Sequence, residues 1–310
     1  MAREDADTLF AMAVAKLEAP SASALTEAIA DLERAAAAGS GAAMAKLAGL
    51  LAAGVTGPAD WDRSVVLLAR AAQAGCDQAL RELQLLARSA EGASPETLQG
   101  RVDIHALIAP KPAVTVCAAP RIRVVAGLFT PHECSWIIER ARDRLQRAAV
   151  YAASENAGQI VDVRNNSEAS FRPWDLDVAT TFLRARLANA IRAPMHIFEH
   201  ASVLHYAVDQ QFAPHFDFLD PAVAGQAADL AQRGQRVATA LVYLNDAYDG
   251  GETDFPTLGW KFRGRPGDLL VFDNVDHAGS IDRRTLHAGA PPTTGEKWLL
   301  SQWIRDRPQG

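Results

Sequence analysis

His215-Phe216-Asp217 sets an imidazole and a carboxylate two residues apart. On a β-strand, positions i and i+2 share a face, so both side chains can reach one ion. A further histidine, His287, follows 70 residues after Asp217, at the end of another strand-like run. Two neutral imidazoles and one carboxylate around a divalent ion leave three octahedral positions open. That donor set suits non-haem iron(II), which must take up a cosubstrate and O₂ together. Zinc more often sits in a closed tetrahedron or keeps a single open position. His277 is the competing third ligand, but it falls in Asp273-Asn274-Val275-Asp276-His277-Ala278-Gly279, which reads as a turn.

Lys297 lies ten residues after His287, within Gly295-Glu296-Lys297-Trp298. Along the run Lys297–Arg305, the side chains of Lys297, Leu299, Ser301, Trp303 and Arg305 alternate onto one face. A lysine pointing inward is costly unless an anion meets it. The distal carboxylate of 2-oxoglutarate is such an anion. The remaining histidines have no ligand-type pairing: His205 points to the opposite strand face from Tyr206, and His105, His132, His196 and His200 stand alone.

The elements that must position these groups read as follows. Arg121–Leu128 is strand-like, and Thr130-Pro131-His132-Glu133 carries N-cap, N1 and N3 residues for a helix through about Arg147. A second helix is expected over Val178–Ile191. Short β-like runs follow at Ser202–Tyr206, Phe212–Phe216, Val237–Leu244, Asp268–Phe272, Thr285–Ala288 and Lys297–Arg305. Many short strands between Gly, Pro and Asp turns predict a double-sheet jelly roll.

The first 90 residues have another texture, rich in Ala and Leu with apolar positions three or four apart. A shift of 36 positions superposes Leu32 on Leu68, Ala35 on Ala71, Gly39 on Gly75, Leu47 on Leu83 and Leu50 on Leu86. Gly39 and Gly75 fall where one helix should stop and the next begin. Ala35-Ala36-Ala37-Ala38-Gly39 and Ala71-Ala72-Gln73-Ala74-Gly75 resemble the signature of SEL-like, tetratricopeptide-like helical repeats. Between the two textures, Pro95, Pro110, Pro112 and Pro120 surround the β-branched run Val114 to Val116, which reads as a linker.

Several ordered motifs in the second part resemble the prolyl 4-hydroxylase branch of the iron(II)/2-oxoglutarate dioxygenases. They are Tyr206 to Asp217, Gly250-Gly251-Glu252-Thr253-Asp254-Phe255-Pro256, Pro266-Gly267-Asp268, Leu286-His287-Ala288-Gly289 and Gly295-Glu296-Lys297-Trp298. The resemblance implies iron ligands His215, Asp217 and His287. It implies that Lys297 pairs with the distal carboxylate of 2-oxoglutarate, helped by the hydroxyls of Tyr206 and Thr239. Trp303 and Glu199 match substrate-side positions, and Arg164 and Phe212 are further substrate candidates. Two departures stand out: Asp209 and Phe212 occupy positions where the family usually has glycine and tyrosine. Halogenating relatives replace the ligand carboxylate with a small residue, so the presence of Asp217 implies hydroxylation.

The expected organisation is an α+β multidomain chain. Residues 1–90 form an all-α helical-repeat domain, 91–120 a linker, and 121–310 a dioxygenase domain built on a double-stranded β-helix with supporting helices. The expected cofactors are Fe(II), 2-oxoglutarate and O₂, with ascorbate as a reductant. The expected activity is hydroxylation of an amino-acid side chain, prolyl or other, in a peptide or protein, with release of succinate and CO₂. A free amino acid or similar small metabolite is the alternative substrate, and an interaction protein that senses iron or 2-oxoglutarate is the alternative function. The repeats suggest a protein partner. Net charge −6 and a pI near 5.8 give no bulk attraction to nucleic acid or anionic membranes. Three scattered cysteines, no apolar leader and no run of about 20 apolar residues imply a cytoplasmic protein outside the membrane.

Overall fold

The computed structural model describes residues 3–18, 21–89, 92–148 and 164–309. The chain divides into two compact units. One comprises Met1–Ala109 and Phe171–Arg186, and the other Pro110–Ser170 and Leu187–Gly310.

The first unit is helical. Its elements are α1 (Arg3–Leu17), α2 (Ala22–Ala37), α3 (Gly41–Ala52), α4 (Trp61–Gln73), α5 (Asp77–Leu86), α6 (Pro95–Arg101) and α7 (Ile104–Ile108). The 36-residue repeat is reproduced bond for bond at the helix turns. Gly39 and Gly75 take φ of 92° and 85°, a left-handed conformation that glycine adopts without a Cβ clash. The next amide then reaches back five residues, Ser40 N–H to Ala35 C=O and Cys76 N–H to Ala71 C=O, both at 3.0 Å. Ser40 also caps α3 through the Ala43 amide. Ala28, Leu32, Ala35, Ala43, Leu47 and Leu50 close one buried cluster with Ala13 and Leu17. Helix pairs can approach closely because the contact residues are small: a Cβ on Gly41 would lie 2.9 Å from the Ala71 carbonyl oxygen.

Residues 91–120, expected as a linker, carry two short helices and strand-forming residues, and the division between the two units falls within them. Ser94 accepts from the Thr97 amide and Pro95 takes the first position of α6, so the proline that suggested a break is a helix start. Asp103 caps α7 in the same way. The first unit also recruits residues 171–186, which the sequence assigned to the second domain. Lys46 donates to the Trp174 carbonyl (2.6 Å), and a Cβ on Gly49 would lie 2.7 Å from the Leu176 carbonyl oxygen. The buried Glu82 carboxylate of α5 accepts the Ala179 amide at 3.2 Å.

The second unit carries helix α8 (Pro131–Arg142), the end of α9 (Val178–Ile191) and α10 (Ala224–Arg233). Thr130 and Glu133 form the expected reciprocal cap of α8. The helix stops at Arg142, and Gln146–Arg147 pairs as a strand instead. The strands are β1 (Val114–Ala118), β2 (Arg121–Val125), β3 (Gln146–Arg147), β4 (Ser167–Phe171), β5 (Ala201–Tyr206), β6 (Phe212–His215) and β7 (Arg236–Tyr243). They continue with β8 (Tyr248–Gly250), β9 (Thr253–Phe255), β10 (Trp260–Phe262), β11 (Leu269–Asp273), β12 (His287–Gly289), β13 (Pro292–Gly295) and β14 (Lys297–Arg305).

Eight strands form one sheet in the order β1-β2-β11-β7-β14-β5-β4-β3, and four form another in the order β10-β9-β12-β6. The two face each other as a double-stranded β-helix, and a cavity lined by residues of both lies between them. Ile122, Leu204, Leu241, Tyr243, Phe255, Leu270, Phe272 and Leu299 pack the core around it. Strand β14 lies between β7 and β5, antiparallel to both, with Lys297 opposite Tyr206 and Trp303 opposite Thr239. Strand β12 pairs with β6 so that His287 stands opposite His215. Among the described residues, no helix is long and apolar enough to cross a membrane.

Candidate active site

Pairing of β12 with β6 brings the two histidines together, and the chain just beyond β6 supplies the carboxylate. The metal-binding atoms of His215, Asp217 and His287 all lie within 4.8 Å of one another. His215 Nε2 is 3.6 Å from Asp217 Oδ1, and His287 Nε2 is 3.4 Å from Asp217 Oδ2. Each histidine is held at its other nitrogen by a carbonyl two residues earlier: His215 Nδ1–Ala213 O at 2.9 Å, and His287 Nδ1–Thr285 O at 3.0 Å. A proton on Nδ1 leaves the Nε2 lone pair facing the shared point, which is how a ligand imidazole is oriented.

The apolar setting tunes these groups. Phe212 stacks on His215 with ring centroids 3.5 Å apart, and Phe272 and Phe255 flank His287. Burial, reinforced by His215, pushes the His287 pKa down to about 4, so its imidazole is neutral and able to ligate. For Asp217, burial favours the acid, but His287, His215 and the Thr239 hydroxyl outweigh it and hold the carboxyl well below its usual range.

At the other end of the cavity the pattern reverses. Lys297 is fully buried and its Nζ has no hydrogen-bond partner. It lies 5.1 Å above the Tyr206 ring and 5.7 Å above the Tyr243 ring. Burial lowers its pKa to about 7, opposed only by Glu252. An unsatisfied amine this deep fits an anionic ligand that enters the cavity. Tyr206 lines the same space, its phenol pushed by burial up to about 12 and therefore a proton donor. The hard carboxylate, the two imidazoles and the unmatched amine together fit iron(II) and 2-oxoglutarate.

Two of the expected residues sit away from the cavity lining. Thr239 does not line the cavity: its hydroxyl donates to Asp217 Oδ2 at 2.7 Å and accepts from Asn274 Nδ2 at 3.0 Å, so it orients the carboxylate. The threonine that does face the cavity is Thr253, from the Gly250–Pro256 motif, with its hydroxyl 2.6 Å from the Tyr243 phenol. Glu199 does not line the cavity either. It is bound by Arg236 (2.6 Å) and Arg305 (2.5 Å), with Arg233 at 3.7 Å. Burial favours its acid form, but Arg236 and the other two guanidinium groups dominate and lower its pKa. Its reach to the substrate side is indirect, through Arg236, which lies 3.6 Å over the Trp303 ring.

Trp303, Arg164 and Phe212 do line the cavity. The indole Nε1 of Trp303 is buried without a partner. Arg164 is buried rather than solvated, stacked 4.6 Å from the Phe212 ring and bonded to Asn166 and Glu168. Arg305 closes the face that begins at Lys297 but is spent on Glu199 and Asp229. His277 is an exposed turn residue, and His205 bonds to Glu296, so neither joins the metal-binding group. Asn274 was missed because it sits in that same turn with no motif to mark it.

The family model of the 2OG-Fe(II) oxygenase superfamily matches residues 201–305. Probable prolyl 4-hydroxylase 9 of Arabidopsis thaliana is 30% identical over 249 residues, which span 74% of this chain and 83% of that protein. Prolyl 4-hydroxylase 1 of the same plant is 32% identical over 214 residues, 64% of this chain and 72% of that protein. Among solved structures, a viral collagen prolyl hydroxylase from Paramecium bursaria Chlorella virus-1 in complex with 2OG is 28% identical. It covers 59% of this chain and 95% of that one, with a TM-score of 0.46. The chain therefore belongs to the 2OG-Fe(II) oxygenase superfamily, in its prolyl 4-hydroxylase-like branch, and is a hydroxylase that uses iron(II), 2-oxoglutarate and O₂.

Proposed function

We propose that this enzyme hydroxylates a prolyl or similar residue within a peptide or protein, with 2-oxoglutarate converted to succinate and CO₂. The observation that carries the reading is one cavity with a His-Asp-His group at one end and an unbonded, buried ammonium at the other. Iron(II) and 2-oxoglutarate supply the oxidative chemistry when bound: one oxygen atom of O₂ enters succinate and the other a substrate C–H bond.

The protein's own part is placement. His215, Asp217 and His287 would hold the metal. Thr239, steadied by Asn274, keeps Asp217 turned inward. Lys297 receives the distal carboxylate beside Tyr206 and Thr253. Leu204, Leu241 and Leu299 line the walls and exclude water. The unbonded indole N–H of Trp303 is a ready donor to a substrate carbonyl.

The cavity chemistry favours a residue in a chain over a free amino acid. Among the described residues the only carboxylate lining the cavity is Asp217, which the metal occupies. A free amino acid would bring an ammonium with no counter-charge to meet it, whereas a peptide bond brings carbonyls that suit the donors present. The relatives' names, prolyl 4-hydroxylases, support proline.

Purified full-length enzyme with iron(II), ascorbate and 2-oxoglutarate should add one oxygen to a proline-containing peptide, seen by mass spectrometry, with matching succinate. Turnover of free proline with no peptide turned over would overturn the peptide reading. Binding of 2-oxoglutarate without any succinate would favour a sensing role.

A further inference from the structure

Away from the cavity, charge is out of balance on the outer face of the large sheet. On β2, alternation that buries Ile122 in the core turns Arg121 and Arg123 to the other side. There they line an open cleft, with about 1160 Å³ of unfilled space, between the 110–113 segment and the 189–192 turn that ends α9. Among the described residues the lining holds four cations, Lys111, Arg121, Arg123 and Arg192, and no carboxylate. No residue lines both this cleft and the central cavity.

Internal partners do not balance these charges. Asp273, Asp276 and Asp282 line an adjoining pocket with these two arginines, and among the described residues only Asp273 pairs with them, with Arg121 at 2.7 Å and Arg123 at 3.5 Å. Nε of Arg123 is buried and unbonded. Burial first, and then repulsion from Arg121 and Arg192, lower the Arg123 pKa. Lys111 donates to the Gly127 carbonyl, which leaves its charge unmatched. Arg192 is exposed, and no described carboxylate pairs with it. A cation after the last turn of α9 offsets the helix dipole, which accounts for one of the four but not the cluster. This happens in a chain of net charge −6, so the cluster is not a by-product of a basic surface.

Guanidinium groups match oxyanions with two parallel hydrogen bonds, and three of them around one cleft suit a ligand with several charged oxygens. We propose that this cleft is a second ligand site, for a small multiply charged oxyanion, a phosphate ester or a polycarboxylate. Arg121, Arg123 and Arg192 hold it, with Lys111 at the rim. The proposal does not rest on the substrate assigned above.

Calorimetric titration of the metal-free, full-length protein tests it, with inorganic pyrophosphate in one arm and tricarballylate in the other. Wild type should bind at least one of them, and the stronger arm tells phosphate from carboxylate. Arg192→Glu should weaken that binding at least about tenfold, and Arg123→Gln by a similar factor. Lys261→Glu, an exposed lysine paired with Asp254 elsewhere, should leave it unchanged. Affinity should also fall as salt rises. Absence of binding in both arms would overturn the proposal, as would an Arg192→Glu protein that binds as tightly as wild type.

Discussion

The two ends of the central cavity are built on opposite principles. At the metal end the orienting contacts are already made: both Nδ1 atoms meet carbonyls, and Asp217 meets Thr239, itself held by Asn274. At the lysine end the Lys297 amine is buried and unbonded, and toward the substrate side the Trp303 indole N–H is likewise unmatched. The first end is geometrically finished before anything binds. The second carries a desolvation cost that only a ligand relieves. Preorganisation thus resides with the ligand histidines, and the drive to admit an anion resides with the lysine.

Variants can break this contrast. Asp217→Ala should abolish metal binding and cut succinate formation more than about hundredfold, since loss of outer partners alone costs about 10–100-fold. Iron titration and succinate release check both. Lys297→Met should weaken 2-oxoglutarate binding by about 30–5000-fold, from the ~2–5 kcal/mol lost on truncating one member of a buried charge pair. The same variant should leave metal affinity alone and make the ligand-free protein more stable, by about 1 kcal/mol or more, because an uncompensated buried cation is gone. A lower melting temperature would show that the amine is satisfied without a ligand.

Thr239→Val should cost about 10–100-fold in metal affinity, with 2-oxoglutarate affinity at saturating metal unchanged. Thr253→Val should do the reverse. If the two variants exchanged phenotypes, the threonine assignments would be wrong. The pH dependence is next in size. Lys297 titrates near 7 in the free protein, so above that pH a dianion must recruit a proton in order to meet an ammonium. Apparent 2-oxoglutarate affinity should therefore drop by up to about tenfold per pH unit above pH 7, and Lys297→Met should flatten that slope. The smallest effect concerns the turn joining Tyr206 to Phe212, which links the two ends. Asp209 there adopts φ of 64°, the left-handed region where the family usually has glycine. Asp209→Gly should raise stability by about 1 kcal/mol with turnover unchanged, read by thermal melting.

The chemistry was legible wherever it followed strand alternation. The face from Lys297 to Trp303 needed only the two-residue period; His215 and Asp217 do come together as expected, although β6 ends at His215 and Asp217 lies just beyond it. The surroundings of Thr239 were not legible, because alternation says which face a residue takes on its strand but not what the neighbouring sheet places there. Thr239 meets Asp217, 22 positions away, and Thr253 from the small sheet faces the cavity. The surroundings of Glu199 were hidden for a related reason: three arginines, one of them 106 residues distant, converge on it and carry no motif. The helical repeat was readable because its turns depend on local bonds, Gly39 and Gly75 with the alanines before them. The recruitment of residues 171–186 to that unit was not, since it rests on contacts spanning about a hundred positions, such as Glu82 to Ala179.

That recruitment has a practical consequence for dissecting the protein. The polypeptide visits the helical unit, leaves it, and returns for a second stretch before completing the oxygenase sheets. No single cut in the gene can then yield two intact pieces. A truncation starting anywhere between the two visits would strip Glu82 from the amide it receives at the start of α9 and uncover Leu176 and Phe182. Loss of activity in such a fragment would report a damaged scaffold rather than a missing docking module, and surface substitutions on the intact chain are the cleaner probe of what the repeats contribute.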